Sequence, residues 1–105
     1  MFKYIQINVT DKSLNQSKTV VRGYQSCGYH ADILNKFQFE EMNNYKNEID
    51  CECPGGGRIN HEADKKHINI YGYSQGFGLA DHDKSKDIIQ KSYPDYTIDW
   101  TNEGY

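Results

Sequence analysis

One histidine in this chain stands where an imidazole can act as a base. His30 follows Gly28 and Tyr29 and opens a stretch with helical spacing, beginning Ala31-Asp32-Ile33-Leu34. The start of a helix leaves N–H groups unpaired and favours anions. The same positive end lowers an imidazole pKa, so the ring stays neutral and basic near neutral pH. Beside a phosphoryl group, such a ring can take a proton from water or attack phosphorus itself. On spacing alone, a surface residue of the first helical turn is the more ordinary reading of His30.

A phosphoryl site also needs cations and amide donors. Lys3, Arg22 and Arg58 lie near the ends of expected strands or in the glycine segment. Arginine suits bidentate phosphate binding and lysine a point contact, although scattered surface cations are ordinary in any acidic protein. Gly55-Gly56-Gly57 and Ser74-Gln75-Gly76-Phe77-Gly78 can turn backbone N–H groups toward an anion, or can simply be turns and bulges. Neither run has the Gly-Lys-Ser/Thr ending of a nucleotide phosphate loop or the G-x-G-x-x-G spacing of a dinucleotide site. No nucleophile-elbow sequence supports a Ser-His-Asp triad.

The cysteines point away from metal and from a disulfide framework. Cys27, Cys51 and Cys53 are odd in number. Cys51 and Cys53 would share one face of a strand, but a structural zinc site wants a second ligand pair, and the sequence offers none. His61, His67 and His82 read as surface or strand residues. Three unpaired cysteines fit a reduced, cytoplasmic protein. The opening Met1-Phe2-Lys3-Tyr4-Ile5-Gln6 reads as a strand and not as a signal peptide.

These residues must be positioned by a small set of elements. Phe2 to Val9 alternates, with Ile5, Ile7 and Val9 on one face and Gln6 and Asn8 on the other, as in a strand. After a polar turn at Asp11 to Gln16, Lys18 to Tyr24 is β-branched and pairs back as a hairpin. A helix follows His30, its apolar positions running through Ile33, Leu34 and Phe37 toward Met42 and Tyr45. Asp50 to Asn60 holds Pro54 and three glycines, which argues against an ordinary central strand and for close backbone approach or an irregular edge. Ala63 to Lys66 is a turn, His67 to Tyr73 a strand, Ser74 to Gly78 a flexible loop, and Asp83 to Ser92 a helix stopped by Pro94. Tyr96 to Trp100 is the last strand. The order β-β-α-β-β-α-β predicts an α/β (α+β) fold, a mixed sheet flanked by two helices.

Composition bounds the rest. A length of 105 residues allows one domain with a thin core. Leu, Ile, Val and Phe supply 20 of those residues and mean hydropathy is -0.91, near the edge of disorder. The net charge of only -3 and nine tyrosines argue instead for a folded domain leaning on aromatic rings. The acidity gives no field for nucleic acid, and no apolar run approaches membrane-helix length. No exposed hydrophobic stripe is evident, so a monomer is expected.

Several of these segments together resemble one family, the protein histidine phosphatases of the Janus/Ocnus group. The likeness runs through Val21-Arg22-Gly23-Tyr24, Tyr29-His30-Ala31-Asp32-Ile33, Cys51-Glu52-Cys53 and Gly55-Gly56-Gly57-Arg58-Ile59. It continues through Tyr71-Gly72-Tyr73-Ser74, Tyr93-Pro94-Asp95-Tyr96 and Trp100-Thr101-Asn102-Glu103-Gly104-Tyr105. It thus covers residues 1–105 as a single domain. Departures are few: Gly76 where alanine is expected, small residues at Cys27 and Gly28, and Ile49 in place of a further alternating cysteine. The resemblance implies a cofactor-free, metal-independent phosphatase acting on phosphohistidine in proteins, with phospholysine and small phosphoramidates as further substrates. It implies His30 as the catalytic residue. Lys3, Arg22, Tyr29, Arg58, Ser74, Gln75 and Gly76 would bind the substrate phosphate, with His82 as an accessory. Tyr24, Tyr71 and Tyr73 would pack around the phosphate pocket with Tyr29. The alternative is a non-enzymatic anion- or phosphopeptide-binding module on the same fold.

Overall fold

A computed structural model describes residues 1–42 and 48–103. Its elements are β1 (Phe2–Asp11), β2 (Gln16–Gly23), α1 (His30–Glu40), β3 (Ile49–Glu62), a short 3₁₀ turn (Ala63–Lys65), β4 (His67–Tyr71), α2 (His82–Ser92) and β5 (Thr97–Trp100). They form one five-stranded mixed sheet in the order β2-β1-β3-β4-β5. All pairings are antiparallel except β4 with β5. The expected β-β-α-β-β-α-β order and the first hairpin are both present. In that hairpin the Asp11 carboxylate accepts from the Ser13 and Leu14 amides.

The sheet is buried on both faces because β1 is. Ile5, Ile7 and Val9 pack on one face with Ile33 and Phe37 of α1. Ile33 and Phe37 are four apart and so share one side of the helix; burying each stabilises by about 1.5–3 kcal/mol. On the opposite face Tyr4, Ile59, Ile68, Ile70, Ala80 and Ile98 form a second cluster, against which Ile89 of α2 and Tyr96 pack. Asp81 caps α2, its carboxylate accepting from the Lys84 amide, so the helix begins one residue before the expected Asp83.

The main departure from expectation is β3. It is the middle strand, not an irregular edge. Between Gln6 and Asn8 of β1 only Ile7 stands opposite both Cys53 and Pro54, so the proline lies at a bulge, where a missing N–H does not break the ladder. The glycines are there for close approach. A side chain on Gly55 would come within 2.6 Å of the Leu79–Ala80 backbone, on Gly56 within 2.5 Å of the Tyr4 carbonyl, and on Gly57 within 2.5 Å of the Tyr71 carbonyl. Strand β4 stops at Tyr71, short of the expected Tyr73, because Gly72 turns into the left-handed region at φ 73°. Beyond that point Gly56 pairs with Leu79 as a parallel bridge. The helix α1 ends at Glu40; Met42 still packs on the core, and the expected apolar position Tyr45 lies outside the described residues, as do Gly104 and Tyr105 of the C-terminal matched segment.

Candidate active site

The expected phosphate loop is a tight turn, not a flexible segment. Ser74 and Gly78 exchange backbone hydrogen bonds of 3.0 and 2.8 Å. The buried Ser74 hydroxyl accepts from the Phe77 amide at 3.1 Å, and the Gly56 amide donates to the Gly78 carbonyl at 3.1 Å. The loop is thereby tied to the middle of β3. It faces the start of α1 across an open cleft of about 460 Å³, walled by Lys3, Gly28, Tyr29, His30, Ala31, Ser74, Gln75, Gly76 and Phe77. Six of the expected site residues are thus brought together: Lys3, Tyr29, His30, Ser74, Gln75 and Gly76.

His30 is the best-defined group in this cleft. The residue is 8% exposed, and its ring Nε2 lies 2.9 Å from the Gly57 carbonyl oxygen. A carbonyl only accepts, so Nε2 carries the proton and Nδ1 keeps the free lone pair. Burial lowers the pKa below the usual imidazole value, and the nearby charges of Lys3 and Arg58 lower it further, against the opposing pull of the Gly57 bond. The ring is therefore a neutral base with one nitrogen tethered and the other available. It can approach the strand because Gly56 has no side chain; a Cβ there would sit 2.9 Å from His30 Cδ2. The α1 N-terminus adds its positive end beside it; Tyr29 provides no side-chain cap, and of the first-turn amides that of Asp32 is taken by the Tyr29 carbonyl. The Tyr29 ring is 74% exposed on the rim.

The other expected residues lie outside the cleft wall. Arg58 faces Lys3 across the β1–β3 ladder and is 6% exposed; its charge bears on His30, but it does not line the cleft. Arg22 gives its Nε and Nη2 to the Glu41 carboxylate at 2.8 and 2.7 Å, a bidentate pair that holds β2 to the end of α1. His82 is buried on the far face of the sheet. Its Nε2 donates to the Gly72 carbonyl at 2.7 Å and its Nδ1 lies 2.6 Å from the Tyr4 hydroxyl. Of the four tyrosines expected around the pocket, Tyr29 alone is in the cleft wall among the described residues. Tyr24 instead packs on the α1-side core and donates to Glu41.

Sequence reasoning missed Gly57 as the acceptor that orients His30, Phe77 as a wall, and Tyr4 with Ser85 behind the sheet. The three-glycine run was the available signal for the first; nothing in the spacing announces Ser85. The cysteines all pack against the α1-side core, with Cys51 and Cys53 on one face as expected, and burial pushes the Cys53 thiol up to about 11. No group of three or more His, Cys, Asp or Glu side chains is placed to hold a metal ion among the described residues. Nor, among them, is any helix long and apolar enough to cross a membrane.

Comparison with known proteins bears on the family. The Janus/Ocnus family model matches residues 1–97. The chain is 52% identical over 105 residues to the sex-regulated protein janus-A of Drosophila simulans, covering all of this chain and 75% of that protein. It is 46% identical over 110 residues to the 14 kDa phosphohistidine phosphatase of Sus scrofa, covering all of this chain and 85% of that one. The human protein of the same name is 43% identical, again over the whole chain and 86% of its own length. With a family match across nearly the whole sequence and relatives of 43–52% identity that cover all of this chain, this chain belongs to the Janus/Ocnus family.

Proposed function

We propose that this protein is a metal-independent phosphohistidine phosphatase. The observation that carries the proposal is the state of His30: neutral, with its Nε2 proton held by Gly57 and Nδ1 left basic, in the wall of a cleft that also holds Lys3 and the Ser74 turn. Two relatives are named phosphohistidine phosphatases, which supports the substrate class. In this reading a histidine-phosphorylated protein presents its phosphoryl group to the cleft. The amides of the 74–76 turn, the α1 N-terminus and Lys3 carry its charge, while Arg58 adds to the field. Phosphoryl transfer is loose and needs mainly positioning and charge stabilisation. The P–N bond breaks, its electron pair leaves with the imidazole nitrogen, and a P–O bond forms. His30 Nδ1 either takes the proton of the attacking water or attacks phosphorus first and is then freed by water. Labelled phosphate trapped on His30 after an acid-free quench distinguishes the two.

A binding module without turnover is the second reading. It is favoured by one observation: relatives at 51–52% identity carry a name, sex-regulated protein janus-A, that states no reaction. One assay separates the readings. Phosphate release from phosphoramidate or chemically phosphorylated polyhistidine is followed with chelator present. The enzyme releases phosphate, and His30→Ala falls by about 10²–10⁴-fold. Tight phosphopeptide binding with no release refutes the phosphatase reading, as does a His30→Ala variant that keeps wild-type turnover.

A further inference from the structure

The far face of the sheet holds a polar chain that the reaction at His30 does not use directly. Tyr4, Gln6, His82 and Ser85 are each at most 2% exposed. Their donor and acceptor roles are determined from end to end. The Gly72 carbonyl accepts, so His82 Nε2, at 2.7 Å, carries a proton; burial lowers the His82 pKa, and in the neutral ring Nδ1 is bare. The Tyr4 hydroxyl, 2.6 Å from Nδ1, must then donate to it, and so accepts from the Ser85 hydroxyl at 2.9 Å. Ser85 in turn accepts from Gln6 Nε2 at 2.7 Å, while the same amide donates to the Asp81 carbonyl at 2.6 Å. Every proton points one way, and removing one member leaves its neighbours with a choice of partner.

The chain ends on Gly72 and packs against Gly57, two glycines that stand next to cleft residues without lining the cleft themselves. Gly72, left-handed at φ 73°, leads into Tyr73 and the Ser74 turn. Gly57 lies between the two histidines. Its carbonyl holds His30 on one side of the sheet, and on the other a Cβ would sit 2.7 Å from His82 Cε1. The His82 ring therefore rests against the α-carbon of the residue that orients the base.

We propose that Tyr4 is a positioning residue for the reaction at His30: its hydroxyl, donating to Nδ1, fixes the orientation of His82, whose Nε2 bond holds Gly72 ahead of the Ser74 turn and whose ring packs against Gly57, the residue that tethers His30. This rests on the phosphatase reading above. It differs from simple core stabilisation, because a lost hydroxyl would then disturb the cleft and not only the melting point.

The test is Tyr4→Phe in the full chain, which keeps the ring and removes the donor. It is assayed well below its melting temperature with phosphoramidate, alongside ring-nitrogen NMR of His82 and His30. The expected result is a kcat lowered on the order of 10-fold, as small misplacements of catalytic groups give. The His82 Nδ1 signal should shift as it loses its donor while Nε2–H stays bonded to Gly72, and the His30 ring signals should shift with it. His82→Gln, which keeps an N–H able to reach Gly72, should recover part of the kcat lost in His82→Ala. Should Tyr4→Phe fail to fold, Ser85→Ala makes the same test one bond further out. A variant that melts lower yet keeps wild-type kcat and KM, with unmoved His30 signals, overturns the proposal. If the wild-type protein releases no phosphate, the phosphatase reading fails, while the NMR arm still decides whether Tyr4 is coupled to His30.

Discussion

A single methyl group on Gly56 tests whether the glycine run exists for the histidine. In Gly56→Ala the new carbon would stand 2.9 Å from His30 Cδ2, 2.5 Å from the Tyr4 carbonyl oxygen and 3.2 Å from Ile5 Cγ2. Ordinary carbon–carbon contact is about 3.5–4.0 Å, so the imidazole would have to withdraw by about 0.6–1.1 Å if the strand held its place. The His30 bond to Gly57 is 2.9 Å, and a displacement of that size directed along it stretches it to about 3.5–4.0 Å, at or beyond the limit of a hydrogen bond. The proton on Nε2 then loses its anchor, and the basic nitrogen no longer keeps one direction.

Two magnitudes follow. Overpacking of this kind costs about 1–3 kcal/mol, and each kcal/mol lowers the melting temperature of a domain near this size by roughly 4–8 °C. Misplacing a catalytic group by about 1 Å costs on the order of 10²-fold in rate. The assay is kcat/KM for phosphoramidate at a temperature where the variant is fully folded, with circular dichroism melts beside it. Gly76→Ala is the control, since a Cβ there meets nothing within 4 Å; its melting temperature should match the wild type. A Gly56→Ala protein with wild-type kcat/KM below its melting transition would refute the claim that the glycine gives His30 its place.

Three further outcomes are expected. Because burial and the Lys3 and Arg58 charges lower the His30 pKa, the ring should titrate below about 6.5 in an NMR titration. The stability that its neutral form contributes should be present above that value and decline as pH falls through the lowered pKa; a His30 that titrates above 6.5 contradicts the electrostatic account. Lys3→Met removes one of the depressing charges, so KM should rise and the acid limb of kcat/KM should move upward in pH. An acid limb that stays put would mean the Lys3 charge does not reach His30. Glu41→Gln should lower the melting temperature by breaking the bidentate pair with Arg22 while leaving kcat near wild type, because that pair stands outside the cleft wall; an unchanged melting temperature would make the pair idle.

The legible parts of this fold are those in which local pattern and tertiary role agree. Alternation in β1 correctly separates Ile5, Ile7 and Val9 from Gln6, and helical spacing correctly brings Ile33 and Phe37 to one side of α1. Residue type marked His30 as a candidate base, and the structure puts it in the cleft wall. Position in the site was harder, because it depends on which face of which strand a residue reaches. Arg22 has the right chemistry for phosphate, but Glu41, nineteen residues later, takes its guanidinium. His82 has the right ring but stands on the other side of the sheet, where its partners come from Tyr4 and Gly72. The strongest local signal misled most. Proline and glycine ordinarily exclude a central strand, yet in β3 the proline occupies a bulge and the glycines are the condition for centrality. Gly56 and Gly57 carry no side chains, so two imidazoles can lie against opposite faces of the same strand, with the Gly57 carbonyl in reach of one ring and its α-carbon against the other. A breaker of ordinary strands becomes, at the centre of this sheet, the means by which a buried polar chain and the imidazole at an open cleft lie against opposite sides of one strand.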